Sequence, residues 1–452
     1  MGVSEKPGLL DNRLWAGKAF DGAWSTALST ARDAVEPATG QVFSRVGIAS
    51  AADMQAAIGR AQQAQAAWAA TGPRERAAVF HRAASIFEQH FDELAMTVAR
   101  ETGGIVPKGQ HEVREAITLC HLAAALPMQA QGQVLPSTPG RLSIARRVPH
   151  GVVGVISPFN FPLILGLRSV APALALGNAV VLKPDTRTPV SGGFIMARVF
   201  EEAGLPKGLL QVVPGDAEAG EALVVDERVP MIAFTGSPTV GRRIGALAGQ
   251  HLKKVSLELG GANNLIILED ADLDAAASAA AFGAWFHQGQ ICMASNRILV
   301  HESIAEGILQ RMVGKATHLP VGDGASGQVA LGPMIDAKQL QRFDQVIKDS
   351  VTQGAKLEAG GTYEGLCYKP TVLSGVKPGI RSFDEEPFGP VANLVTFRTD
   401  EEAVQLANTS QGGLAAAVIS PSVGRAMAIG QRLRAGMVHI NDQTVNDECT
   451  NP

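Results

Sequence analysis

Through the middle of the chain, short β-branched runs alternate with longer stretches of helical spacing. The runs cover 152–156, 179–182, 210–213, 231–234 and 255–257, with helix-like stretches near 163–176, 189–203, 217–225 and 240–250. Nearly continuous apolar strands, each followed by a helix, predict a parallel sheet covered on both faces. Such sheets bind ligands beyond the carboxyl ends of their strands. The alternation resumes after Gly260. Residues 264–268 are strand-like, 273–286 form an Ala-rich helical pattern, and 298–300 is a further strand. Helices near 303–316 and 400–408 and strands near 415–419 and 437–440 complete a second α/β unit. Upstream, 51–100 is helical scaffold. Ser50 and Asp53 have the spacing of a capping box, and Thr71-Gly72-Pro73 opens another helix with Pro in its first turn. Ile86, Phe87, Phe91, Leu94 and Ala95 share one apolar face. Between these regions, 131–149 has turn residues followed by imperfect alternation, which reads as a protruding hairpin or an edge strand.

A length of 452 residues suggests two or three domains at ~150 residues each. Hydrophobic residues make up 46%, enough for a large core without disulfides and too many for a disordered chain. The 39 basic and 43 acidic residues leave a net charge of −4. Without a Lys/Arg block there is no footprint for nucleic acid or an anionic membrane. The longest apolar stretch, 163–182, carries Arg168, Pro172 and Asn178 and would span a bilayer badly. The N-terminus shows no basic start followed by an apolar run, and Lys6 stands where myristoylation after Gly2 wants Ser or Thr. Cys120, Cys292, Cys367 and Cys449 make no CxxC pair, so no metal site is expected. Reduced thiols in a reducing compartment, the cytoplasm, are expected instead.

Four places carry candidate chemistry. Gly236-Ser237-Pro238-Thr239-Val240-Gly241 follows a predicted strand and opens a predicted helix, where backbone N–H groups can meet a phosphate. It is neither a G-x-G-x-x-G fingerprint nor a P-loop, since Arg242 and Arg243 replace Lys-Ser/Thr; a plain βα turn reads equally well. Cys292 sits in a Gly/Gln loop after a long apolar helix, either as a positioned nucleophile or as a small buried hydrophobe. Glu258 ends a strand before two glycines, either as a base facing a cleft or as a solvated strand-end acid. Asn160, in the Pro-flanked run Ser157-Pro158-Phe159-Asn160-Phe161-Pro162, is either a donor to an oxyanion or a turn residue.

Together these runs resemble one family. Ser157 to Pro162, Leu182-Lys183-Pro184, Phe234-Thr235-Gly236-Ser237, Leu257-Glu258-Leu259-Gly260-Gly261, Gly289-Gln290-Ile291-Cys292 and Glu385-Glu386-Pro387-Phe388-Gly389-Pro390 are similar to the motifs of the NAD(P)-dependent aldehyde dehydrogenase superfamily, in its order and spacing over nearly the whole chain. The stretch 112–193 looks most like the bacterial benzaldehyde dehydrogenase branch. The resemblance implies an α/β fold with two Rossmann-type parallel-sheet domains and a small oligomerisation arm. The implied layout is a dinucleotide-binding domain at 1–130 and 150–257, an arm at 131–149 and a catalytic domain at 258–445. It implies Cys292 as nucleophile, Asn160 and the Cys292 N–H around the oxyanion, and Glu258 as the base for thioester hydrolysis. NAD or NADP would lie along Ile156, Ser157, Pro158, Phe159, Lys183, Asp185, Thr186, Gly215, Phe234, Thr235, Gly236, Ser237, Val240, Leu259, Gly260, Glu386 and Phe388.

Members that prefer NAD carry Glu three residues after the ribose-binding Lys. Here that residue is Thr186, flanked by Asp185 and Arg187. Loss of the carboxylate, with Arg187 beside it to meet a phosphate, implies tolerance of NADP. Positions implied to line the substrate tunnel are Phe161, Leu165, Trp285, Phe286, Ile291, Met293 and those around Gln443 to Val445. With no Lys or Arg among them, they favour an aromatic or other uncharged aldehyde. An aliphatic or semialdehyde dehydrogenase is the alternative within the family. A cofactor-free hydrolase would leave Lys183, Gly236 and Glu386 without a role, and an inactive structural relative would be expected to lack Cys292, Glu258 or Asn160. A homodimer or homotetramer is implied. Relatives continue past Pro452 with a Gly-rich loop and a strand that pairs with a neighbour. Residues 446–452 are therefore expected to begin a truncated C-terminal segment, with weaker oligomerisation and an incomplete substrate mouth.

Overall fold

The computed structural model describes residues 8–445 except Ser25, Ser29 and Gln411. Cys449 and the expected tail at 446–452 lie outside the described residues. The described chain divides into two units: 8–35, 42–101 and 109–258 form the first, and 36–41, 102–108 and 259–445 the second.

After a short helical turn at Asn12–Trp15 and a two-residue strand pair, the first unit has an antiparallel hairpin, β1 (Thr30–Val35) and β2 (Val42–Ile48). Four helices follow: α1 (Ala51–Ala70), α2 (Pro73–Gln89), α3 (Phe91–Thr102) and α4 (Val106–Ala125). The Ser50–Asp53 capping box forms at the start of α1, and Pro73 occupies the first turn of α2. The 131–149 segment is a hairpin of β3 (Gly132–Leu135) and β4 (Ser143–Arg146), a sheet of its own with every strand residue exposed. Then come β5 (Val152–Ile156), α5 (Pro162–Ala175), β6 (Ala179–Lys183), a helical segment α6 (Val190–Phe194 continuing as Ile195–Glu202), β7 (Leu210–Val212), α7 (Ala217–Val225), β8 (Met231–Gly236), α8 (Pro238–Gln250) and β9 (Lys254–Leu259). The sheet order is β9-β8-β5-β6-β7, with β8, β5, β6 and β7 parallel.

β5 is buried along its whole length. This is why its run is uniformly apolar rather than alternating. The chain leaves β5 toward β6 on one side and reaches β8 on the other, so the order reverses at β5. The loops after β5 and β8 flank this switch point, where doubly wound sheets hold ligands. Gly192, at the start of α6, fixes how the β5 and β6 loops lie. A Cβ there would stand 3.2 Å from Pro162 and 3.4 Å from Pro184, so a bare backbone lets both prolines pack against it.

In the second unit, the principal elements are β10 (Asn264–Ile267), α9 (Leu273–Trp285), β11 (Arg297–His301), α10 (Ala305–His318), α11 (Ala337–Thr352), β12 (Lys356–Ala359), β13 (Thr371–Ser374), β14 (Val391–Phe397), α12 (Asp400–Ala407), β15 (Ala415–Ile419), α13 (Val423–Gly430) and β16 (Met437–Ile440). The sheet order is β12-β13-β14-β11-β10-β15-β16, parallel except for β12 at one edge. Two apolar clusters cover its faces. One is built from α9 and α10, and the other from α11, α12 and α13. Sequence patterning missed α11, α13, β12, β13, β14 and the first hairpin. Among the described residues no helix is long and apolar enough to cross a membrane.

Candidate active site

In the first unit, the predicted cofactor residues lie at carboxyl ends of strands. Ile156 ends β5, and Ser157, Pro158 and Phe159 lead to Asn160, which is 3% exposed. Phe161 is the N-cap of α5, and Leu165 lies one turn inside it. Lys183 ends β6 and donates from Nζ to the Gly215 carbonyl at 2.8 Å. Burial lowers the Lys183 pKa, opposed by Asp185 and Asp216. Phe234, Thr235 and Gly236 end β8. Ser237 caps α8, its Oγ accepting from the Val240 N–H at 3.4 Å. Pro238 at the first helical position suits a helix start, and Val240 and Ser237 are exposed. This helix N-terminus can receive an anion.

The surroundings of Thr186 correct one expectation. Arg187 is not positioned for a phosphate: its Nε and Nη2 each lie 2.8 Å from the Asp185 carboxylate, and its guanidinium stacks 4.0 Å over Phe159. Burial alone would raise the Asp185 pKa, but the Arg187 bonds outweigh it and hold the carboxyl low. The cation at Thr186 is Arg32 of β1, donating from Nη1 to Thr186 Oγ1 at 3.2 Å and forming a fork on Asp216 at 3.1 and 2.8 Å. Residues so distant in sequence give no local signal of this. Glu258 is half-buried near the end of β9.

In the second unit, Cys292 is half-buried on a loop with unusual backbone. His287, Gln288 and Gly289 have φ of 46°, 57° and 64°, three successive left-handed residues of which only the glycine is relaxed. Side chains hold this turn. Gln288 Nε2 donates to the Gly103 carbonyl at 3.2 Å, and Gln290 Oε1 accepts from the Ile335 N–H at 3.2 Å. Asn263 Nδ2 donates to the carbonyls of Cys292 and Ala294 at 2.7 and 3.0 Å, while its Oδ1 accepts from Ala415. Thr444 Oγ1 donates to the Met293 carbonyl at 2.5 Å. Backbone strain maintained by surrounding bonds is common at reactive sites. Asn263 and Gln288 lie outside the sequence motifs, whereas Gln290 falls in the Gly289-Gln290-Ile291-Cys292 run and Thr444 in the stretch around Gln443 to Val445.

Trp285 and Ile291 are each 1% exposed, and Trp285 packs in the α9–α10 cluster. Phe286 and Met293 are half-buried. Phe286 stacks on Phe282 one turn earlier in α9, with centroids 4.8 Å apart and planes at 11°. Phe282, 47% exposed, is a further aromatic the sequence reading did not select, although its i, i+4 spacing from Phe286 was visible.

The segment carrying Glu386 and Phe388 is held by α11. Arg342 donates to the carbonyls of Glu386 and Pro387, and Gln339 to that of Phe388. Phe388 has φ of 54°. The Glu386 carboxylate lies where a side chain at Gly260 would be, 2.5 Å from an ideal Cβ, so Gly260 is the residue the packing admits. Leu259 immediately precedes it at the end of β9. Oε1 of Glu386 is shielded from solvent and has no hydrogen-bond partner among the described residues. Burial pushes its pKa up to about 8, against the pull of Arg342 and the Gly261 N–H. An orphaned buried acceptor calls for a donor, and a ribose hydroxyl supplies one. In the first unit, Lys183 and the α8 N-terminus suit the ribose and pyrophosphate of a dinucleotide; in the second unit, Glu386 suits a ribose. Among the described residues, no group of His, Cys, Asp and Glu could hold a metal ion.

Two doubly wound units, a thiol on a strained loop and a dinucleotide-compatible set of residues define an α/β oxidoreductase architecture. A family model described as the aldehyde dehydrogenase family matches residues 24–452. The chain is 53% identical to a vanillin dehydrogenase of Amycolatopsis sp., with 98% of this chain and 91% of that protein covered. It is 46% identical to a benzaldehyde dehydrogenase (NAD) of Pseudomonas putida, with 96% and 90% covered. The crystal structure of an NAD-dependent benzaldehyde dehydrogenase from Corynebacterium glutamicum superposes with a TM-score of 0.90 at 40% identity, covering 98% of this chain and 96% of that one. The chain belongs to the aldehyde dehydrogenase family.

Proposed function

We propose that this protein oxidises an aromatic aldehyde to its carboxylic acid, with Cys292 as nucleophile and NAD as hydride acceptor. The observation that carries the reading is Cys292 on its buttressed loop, in a chain of this family that also retains Asn160 and Glu258 at the motif positions. The Cys292 thiolate adds to the aldehyde carbon, and the carbonyl oxygen becomes an oxyanion held by the Asn160 amide and the Cys292 N–H. The bound nicotinamide supplies the acceptor for the hydride that leaves this carbon. A thioester on Cys292 remains. Glu258 takes a proton from water, the water oxygen attacks the thioester carbon, and acid and thiol are released. When bound, the dinucleotide would be held by Lys183 and the start of α8 from the first unit and by Leu259, Glu386 and Phe388 from the second, and would supply the hydride acceptor.

By the family resemblance, Phe161 and Leu165 of the first unit and Phe286 and Met293 of the second would meet the aldehyde, and all are apolar; Phe286 is stacked on Phe282. Vanillin and benzaldehyde dehydrogenases among the relatives support the same substrate class. Thr186 in place of an acid, with Arg32 beside it, admits NADP as a second cofactor. The 131–149 hairpin exposes Val134, Leu142, Ile144 and Val148 and serves as the subunit contact of a homo-oligomer. A reduced nucleophile suits a cytoplasmic enzyme. The test is nicotinamide reduction with benzaldehydes, aliphatic aldehydes and succinic semialdehyde. Aromatic aldehydes are expected to lead in kcat/KM by about tenfold or more; preference for the charged semialdehyde overturns the assignment.

A further inference from the structure

Two helices of the first unit follow loops assigned to the active site, and each begins on a buried carboxylate from elsewhere in the chain. At the start of α5, Glu112 of α4 accepts from the Leu163 N–H at 3.0 Å and the Ile164 N–H at 3.2 Å. At the start of α6, Glu101 of α3 accepts from Val190 at 3.0 Å and Ser191 at 2.6 Å. Both glutamates are 0% exposed. A helix is ordinarily capped by its own preceding Ser, Thr, Asp or Asn. Here the N-cap of α5 is Phe161, which makes no capping bond, and Pro162 follows without an N–H. The first available donors are therefore Leu163 and Ile164. Phe161 is assigned to the aldehyde and Asn160 to the oxyanion, so a local cap is unavailable and the acceptor comes from α4.

We infer that Glu112 is a positioning residue for Asn160. Its two bonds fix the first turn of α5 three residues beyond Asn160, and the Leu165 N–H to Phe161 carbonyl bond of 3.0 Å continues the same turn. The loop is held at its other end by the Ser157 N–H to Lys183 carbonyl bond of 3.2 Å. With both ends tied, the amide is presented in one place, as an oxyanion donor requires. The inference rests on the proposed catalytic role of Asn160.

The test compares Glu112→Gln, Glu112→Asp, Asn160→Ala and the double variant Glu112→Gln/Asn160→Ala. Aldehyde oxidation is read beside cofactor-free hydrolysis of p-nitrophenyl acetate. In the latter, the Cys292 thiolate adds to the ester carbonyl, nitrophenolate leaves with its electron pair, and water then cleaves the thioester. Glu112→Gln is expected to lower kcat in both reactions about tenfold, with aldehyde KM, NAD affinity and the rate of Cys292 alkylation by iodoacetamide within about twofold. In the Asn160→Ala background it is expected to cost less than about twofold, because the group it positions is gone. Glu112→Asp keeps the charge but shortens the reach, and is expected to lose kcat as well. Full kcat in either folded variant, additive losses, or a loss confined to KM or shared by alkylation overturns the inference, as does failure of both variants to fold. A wild-type protein that neither oxidises aldehydes nor hydrolyses the ester instead refutes the proposed function itself.

Discussion

Glu386→Gln removes a buried ionisable group while keeping its shape. The wild-type carboxyl moves from its ordinary 4.5 to about 8, mainly through burial. The pKa is raised in the folded state, so the folded protein holds a proton that the unfolded chain has released. The stability this provides is fully present below pH 4.5 and is lost as pH rises through about 8. At ~1.4 kcal/mol per decade of proton activity, about 3 kcal/mol is lost by neutral pH and about 5 kcal/mol in full. The amide does not titrate. Melting of the two proteins across this range is expected to show wild type falling progressively behind Glu386→Gln and then levelling off above about pH 8. Ribose hydroxyls that donate to the ionised carboxylate favour its deprotonation. NAD is therefore expected to bind wild type more tightly as pH approaches 8, with a flatter dependence in Glu386→Gln. A melting difference that stays constant with pH refutes the account of Glu386 as a desolvated acid awaiting a donor.

Cys292→Ala is expected to abolish thioester formation and lower kcat by about 10⁴-fold; nicotinamide reduction near the wild-type rate would eliminate Cys292 as nucleophile. Arg32→Ala is expected to weaken adenosine 2′,5′-bisphosphate binding and kcat/KM for NADP by about tenfold, since it removes the cation that reaches Thr186 and that a 2′-phosphate would draw from Asp216. ADP binding and NAD turnover should change little, and parallel losses with both cofactors would deny Arg32 a role in discrimination. Asn263→Ala leaves the Cys292 and Ala294 carbonyls and the Ala415 N–H without their present partner. At about 1–3 kcal/mol for an unsatisfied buried group, a clear fall in melting temperature is expected together with lower kcat, and an unchanged Tm would rule out the buttress.

The central alternation was legible because β5, β6 and β7 are buried on both faces, and burial leaves an uninterrupted apolar run. The strand over 391–397 is also mostly buried, but Asn393 and Thr396 interrupt its apolar run and weaken its pattern. The first hairpin was missed for another reason. β1 has only one buried residue, Ala34, and its exposed face gives little periodicity. Cys292, Glu258 and Asn160 were found through motifs that are local in sequence. Asn263, Glu112 and Arg32 act across the fold, on backbone groups or side chains 29, 51 and 154 positions away. Single-sequence spacing does not encode such pairs. It also failed at Arg187, where adjacency to Thr186 suggested availability but the side chain closes onto Asp185.

Gly192 makes the two working loops of the first unit mechanically dependent. The prolines beside Asn160 and beside Lys183 rest on the same bare stretch of backbone. A Cβ there would press on Pro162 at 3.2 Å and touch Pro184 at 3.4 Å, so the two loops share one packing constraint. Redesign of cofactor choice by reshaping the β6 loop would therefore carry an unintended change in aldehyde chemistry. Arg32 reaches Thr186 from β1, outside both loops, which makes it the place where the nucleotide preference can evolve without retuning the reaction.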